Sequence, residues 1–128
     1  MDFINIYFEE YRSVFLLRLN NVNIVGDLAK QFLPETAKSI LYTIKNTRLE
    51  KTIEILLSDN PSKLLDLIDI DALASALCIS TEQVDLGLKA IAPVMSQIFI
   101  LKSNEIVAAT ASLAWSSVDD NKDSAVNF

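Results

Sequence analysis

The stretch Asp71-Ala-Leu-Ala-Ser-Ala-Leu-Cys-Ile-Ser-Thr-Glu-Gln-Val84 decides the fold class. Leu73, Ala74 and Leu77 recur at helical spacing and line one face. Cys78-Ile79-Ser80 turns the chain. Ser80 with Gln83 three residues on is a capping box, in which each residue satisfies a free N–H of the other, so a new helix opens at Thr81. Val84, Leu88 and Ile91 then form its apolar side. Two short amphipathic helices joined by a tight turn are the apolar skeleton of a helix-turn-helix corner.

Towards the N-terminus the same period persists. Asp69 or Asp71 is positioned to cap the first helix of the corner, and Asn60-Pro61 to open a further helix over Pro61–Leu67. Thr47 and Glu50 form a second candidate capping box, with Leu49, Ile53, Leu56 and Leu57 as the buried side behind it. Pro34 suits the first turn of a helix carrying Ala37, Ile40, Leu41 and Ile44, and a short helix over Ile24–Phe32 precedes it. Ile4, Phe8, Tyr11, Phe15 and Leu19 predict one helix over Asp2–Leu19, ended by Asn20, Asn21 and Asn23.

Towards the C-terminus, Pro93 cannot donate to the carbonyl of Lys89, so a kink or a split is expected there. The run Leu86–Leu101 is interrupted by Lys89, Pro93 and Gln97. It falls short of the roughly 20 apolar residues a membrane span needs, and reads as a buried core helix. Ser103 is positioned to cap a last helix through Trp115. Residues 118–128 are polar and acidic and read as a disordered tail. The expectation is therefore one all-α domain over residues 1–117, a compact bundle of about seven or eight short helices. Asn60-Pro61 is the only candidate boundary between subdomains, and a half of about 60 residues would be only marginally stable by itself.

Composition supports a real core and excludes several chemistries. Of 128 residues 51 % are hydrophobic and 22 % charged, with no histidine, one cysteine and two glycines. Without histidine there is no Ser-His-Asp triad, no Cys-His pair and no His-ligated metal. One cysteine forms no internal disulfide and no multi-cysteine zinc site. Gly26 and Gly87 are too few and too far apart for a phosphate-cradling loop. No cofactor is expected. Residues 1–11 carry Asp2, Glu9 and Glu10 and no early lysine, unlike a secretory signal. The expected setting is the cytoplasm, away from membranes.

The run Leu73–Ile98 resembles the YidB-like family of uncharacterised bacterial proteins. The residues that carry the likeness are Leu77-Cys78-Ile79-Ser80, Val84, Leu88, Pro93 and Ile98. Cys78 stands where the family usually has glycine. If that position is left-handed, cysteine bears a strain that glycine would not. The resemblance implies an all-α bacterial domain without established activity, and it carries over no catalytic residue.

Five constellations are weighed as candidate sites. The corner itself is a candidate DNA reader. Its Thr81 helix presents Glu82, Gln83 and Asp85 against Lys89, however, and the net charge of the chain is −6. Phosphate neutralisation supplies most non-specific DNA affinity, so no nucleic-acid partner is expected unless a basic patch lies beside that helix. Lys38, Lys45, Arg48 and Lys51, with only Glu50 among them, are the one candidate anion patch. Asp66, Asp69 and Asp71 are the candidate carboxylate site for a hard cation or for acid–base work, which requires two of them to converge. Their simpler reading is a solvated helix end with an N-cap. Cys78 has no Lys or Arg within ten residues to activate a thiolate and reads as buried and inert. Finally, Ile106, Leu113 and Trp115 belong to a last helix that is apolar on most faces. Together with Leu86–Leu101, that is more apolar surface than so small a domain can cover. A protein partner or a second copy is expected to cover the excess, with Trp115 as the best anchor. The leading expectation is a non-enzymatic interaction module; the rivals are a helix-turn-helix regulator and a carboxylate-based metal binder.

Overall fold

A computed structural model describes residues 3–112. Six α-helices and one 3₁₀ helix follow in order: α1 (Phe3–Glu10), α2 (Arg12–Asn20), α3 (Gly26–Lys45), α4 (Leu49–Leu56), the 3₁₀ helix (Pro61–Leu67), α5 (Ile70–Leu77) and α6 (Thr81–Leu101). An eighth helical segment, α7, covers residues 103–112, and no strand occurs among the described residues. The all-α bundle is as expected. α6 packs on α2, α5 and the 3₁₀ helix, α3 packs on α1 and α5, and α4 packs on the 3₁₀ helix. One hydrophobic core runs from Phe3 to Ile106 across the Asn60-Pro61 break.

The corner forms as its sequence dictates. Asp69, not Asp71, caps α5, accepting from the Ala72 N–H at 3.1 Å. The Ser80–Gln83 box closes in both directions, at 3.2 and 3.3 Å. Between the two helices Cys78 is left-handed, with φ 56 and ψ 42. The Ile79 N–H donates to the Ala74 carbonyl and the Cys78 N–H to the Ser75 carbonyl, which together satisfy the last free acceptors of α5. The same closure ends α2, with Asn23 at φ 63 and Ile24 donating to Leu19. Asparagine tolerates that conformation better than most residues.

The helix boundaries depart from expectation where tertiary packing competes with local signals. The single helix expected over Asp2–Leu19 breaks at Tyr11, which has φ −109 and ψ 26. Phe8 and Phe15 would stand about 10 Å apart along one straight helix. The break lets their rings meet edge to face, with centroids 4.8 Å apart. Conversely, Pro34 does not open a helix, and the two helices expected around it are one, α3. Pro93 likewise does not split α6. Each proline removes one helical hydrogen bond, at a cost of about 3 kcal/mol. Each is offset by one continuous buried face: Phe32 and Leu33 before Pro34 with Ala37 and Ile40 after it, and Leu88 and Ile91 before Pro93 with Met95, Ile98 and Phe99 after it. A large apolar side chain contributes about 1.5–3 kcal/mol when buried, so either side of the proline outweighs the lost bond.

Three expected caps do not form. Ser103 already lies inside α7, whose first helical bond runs from the Ile106 N–H to the Lys102 carbonyl. Thr47 belongs to the turn closing α3, donating its N–H to Ile44, so Arg48 occupies the N-cap of α4 without a side-chain bond. Asn60 precedes the 3₁₀ helix, but its Oδ1 accepts from the Ser62 and Ser96 hydroxyls instead of from backbone. The Ser62 N–H donates to Ser96 Oγ at 3.2 Å. A cross-link to α6 has replaced the local cap, and it ties the two sides of the candidate subdomain boundary together.

Candidate functional site

The candidate constellations are spread over the fold, with Asp69 and Lys38 bordering one groove and Asp66, Asp85 and Lys89 another depression. Lys38 and Lys45 lie on the C-terminal half of α3, Arg48 at the start of α4 and Lys51 within it, all exposed. Lys38 pairs with Glu35 at 3.3 Å and Arg48 with Glu50 at 3.6 Å, both open to solvent, where such pairs are worth little. The first turns of α6 meet α3 at the opposite end, where Gly87 lies against Phe32 and Ile24. Lys45 is more than three turns further along, about 20 Å by helical rise. Lys38 lies less than two turns from Phe32, about 9 Å by helical rise, whereas Lys45 is not beside the would-be recognition helix. That helix exposes Glu82, Gln83, Leu86 and Lys89, and Lys89 is already paired with Asp85 at 2.8 Å. That bond and the Asp85 charge raise the Lys89 pKa, with Asp66 adding to the effect.

Asp66 and Asp69 lie in different depressions, and Asp71 is exposed on α5. Asp66 borders an open depression between the 3₁₀ helix and α6, shared with Lys63, Asp85 and Lys89. Asp69 faces a different groove, beside Lys38, Tyr42 and Ala72, and is committed to its cap. Among the described residues no three of His, Cys, Asp and Glu are grouped to hold a metal ion. The expected buried cysteine is also corrected: Cys78 is exposed, because the left-handed turn that closes α5 carries it to the surface.

Of the two segments expected to present surplus apolar surface, Leu86–Leu101 exposes apolar side chains and Ile106 of the last helix does not. Ile106 is 1 % exposed and part of the core, so it offers nothing to a partner. Leu113 and Trp115, and the expected tail over 118–128, lie outside the described residues. Exposed apolar side chains occur on several elements, among them Leu17, Tyr42 and Leu57, and three lie on α6, which the sequence reads as a core helix with surplus apolar surface: Leu86 is 50 %, Ile100 56 % and Leu101 73 % exposed. Leu86, Pro93 and Ile100 are seven residues apart, and Ala90 and Gln97 lie between them. These five follow alternating steps of four and three, so they form one stripe along α6. No charged residue occurs from Ala90 to Leu101. The opposite side of α6, with Val84, Leu88, Ile91, Met95 and Phe99, is buried. Contrary to the expectation that this segment falls short of a membrane span, α6 with its 21 residues is long and apolar enough to cross a membrane by length and composition alone, with somewhat under half of it buried in the fold. The seven-residue spacing was available in the sequence. It is masked there by the equally apolar residues of the buried side.

A further relationship was invisible in the sequence. The Tyr7 phenol on α1 donates to Glu105 Oε2 on α7 at 3.0 Å. Burial, then the bond to Glu105 and its charge, push the Tyr7 pKa up to about 12. It joins the two ends of the described chain. No protein-family model, curated protein or solved structure matches the chain.

Proposed function

We propose that the protein is a non-enzymatic helical interaction module of the cytoplasm, and that it binds protein through the exposed stripe of α6. One observation carries this reading: an uncharged, largely apolar helix face some four turns long is left to solvent on a chain that is otherwise strongly acidic. Apolar surface gathered into a stripe is the kind of surface partners cover.

The test compares two baits in native lysate, the wild type and Ile100→Glu/Leu101→Glu. Both positions are exposed, so the charges leave the core intact. The reading expects a defined protein held by the wild type and lost by the variant. Identical sets of bound proteins from the two baits would overturn it.

A further inference from the structure

We infer that the partner of the α6 stripe is a second copy of the same chain, its α6 packed antiparallel about a two-fold axis at Pro93. This inference rests on the stripe being a docking face. It adds the identity of the occupant and the direction in which it lies.

The first support is register. Leu86, Pro93 and Ile100 repeat every seven residues, with Gln83, Ala90 and Gln97 at the alternate seam positions. This is the spacing by which one helix seats along another. Ala90 and Pro93 are small enough at the centre to let two backbones approach.

Charge gives the second support and the direction. Two chains of net charge −6 repel each other, so they approach most easily through a surface without charge. All the charges of α6 lie in its N-terminal half, at Glu82, Asp85 and Lys89. Parallel pairing sets Glu82 against Glu82 and Lys89 against Lys89. Antiparallel pairing sets each charged half against the uncharged half of the other copy and also opposes the helix dipoles. A lipid surface fits less well, because helices that lie on bilayers carry several cations along their flanks, and here the flanking charges are Glu82, Asp85 and a single Lys89 already paired with Asp85.

The third support is an acceptor on the stripe. Pro93 has no N–H, so it leaves the Lys89 carbonyl without its usual helical donor. About an axis at Pro93, the residue facing Lys89 is Gln97 of the second copy, whose side-chain amide donates. Two such bonds form, one on each side of the axis, as a symmetric interface requires. Leu86 of each copy then lies opposite Ile100 of the other.

Disulfide trapping tests both occupant and direction. In a Cys78→Ser background, Leu86→Cys and Ile100→Cys are purified separately, then oxidised alone and as an equimolar mixture. The inference predicts a covalent heterodimer in the mixture, well above the yield from either variant alone. Efficient self-linking of either variant alone would contradict the antiparallel order. No linking in any sample, or co-sedimentation of the unmodified chain with phosphatidylcholine–phosphatidylglycerol vesicles, would overturn pairing between copies. Neither result decides the lysate comparison, so the wider reading stands or falls separately.

Discussion

Gly87 of α6 lies directly against Phe32 of α3. A Cβ at position 87 would stand 2.7 Å from Phe32 Cε2 and 2.8 Å from Ile24 Cδ1, and nearer still to Phe32 Cζ. Phe32 is fully buried, so it has no solvent-side rotamer into which to retreat. The absent side chain is what brings α6 onto the fully buried core while its other side stays free. Gly87→Ala would gain about 1 kcal/mol of helix propensity if the position were open. Here overpacking wins, and the variant is expected to lose about 1–3 kcal/mol in denaturant unfolding. An unchanged or raised midpoint would mean that the two helices do not meet this closely.

Cys78 makes the opposite prediction. Its left-handed backbone costs an ordinary L-residue roughly 1–2 kcal/mol, and glycine adopts it freely at some cost in chain entropy. Cys78→Gly is expected to stabilise the protein by about 1 kcal/mol. The thiol is exposed, so its removal opens no cavity. Thermal unfolding in reductant checks this, and a destabilised variant would contradict the turn geometry.

Tyr7 predicts an alkaline dependence. Its neutral form is favoured in the fold, with the pKa at about 12 against 10.0 for an ordinary tyrosine. That contribution is complete below pH 10 and is lost as pH rises towards 12, because the unfolded chain ionises first. Tyr7→Phe removes both the Glu105 bond, costing about 1 kcal/mol near neutrality, and this alkaline fall. Parallel stability curves for wild type and variant across that range would contradict the assignment.

The separated aspartates predict no tight cation site. A ligand at 100 times its Kd stabilises by about 2.7 kcal/mol. Melting in millimolar Ca²⁺, Mg²⁺ or Mn²⁺ is expected to leave the midpoint where it is in chelator. A rise of several degrees would show that Asp66, Asp69 and Asp71 come together in solution.

Helical periodicity, a cap at Asp69 or Asp71 and the Ser80–Gln83 box were legible because they depend on residues three or four apart, while the equally local Thr47–Glu50 box gave way to the turn that closes α3. The continuity of α3 and α6 through Pro34 and Pro93 was not, since it depends on burial against helices distant in sequence. The break at Tyr11 was hidden for the same reason: the Phe8–Phe15 contact that rewards it exists only in the folded chain. At the candidate site, surplus apolar surface near the C-terminus could be read from composition. Its assignment to Leu86, Ile100 and Leu101 in place of Ile106 could not, because α6 is apolar on both sides and only packing decides which side α2, α5 and the 3₁₀ helix cover.

The central claim, that the α6 stripe is a binding face with a second copy as its occupant, is tested most directly by sedimentation equilibrium. The full chain and Ile100→Glu are compared across the micromolar range. The account predicts a mass that rises with concentration from the 14.2 kDa of one chain towards twice that value, and a variant that stays at one chain while unfolding at the same temperature in dilute solution. A wild type that remains a single chain at every concentration, or a variant that associates equally well, would contradict it.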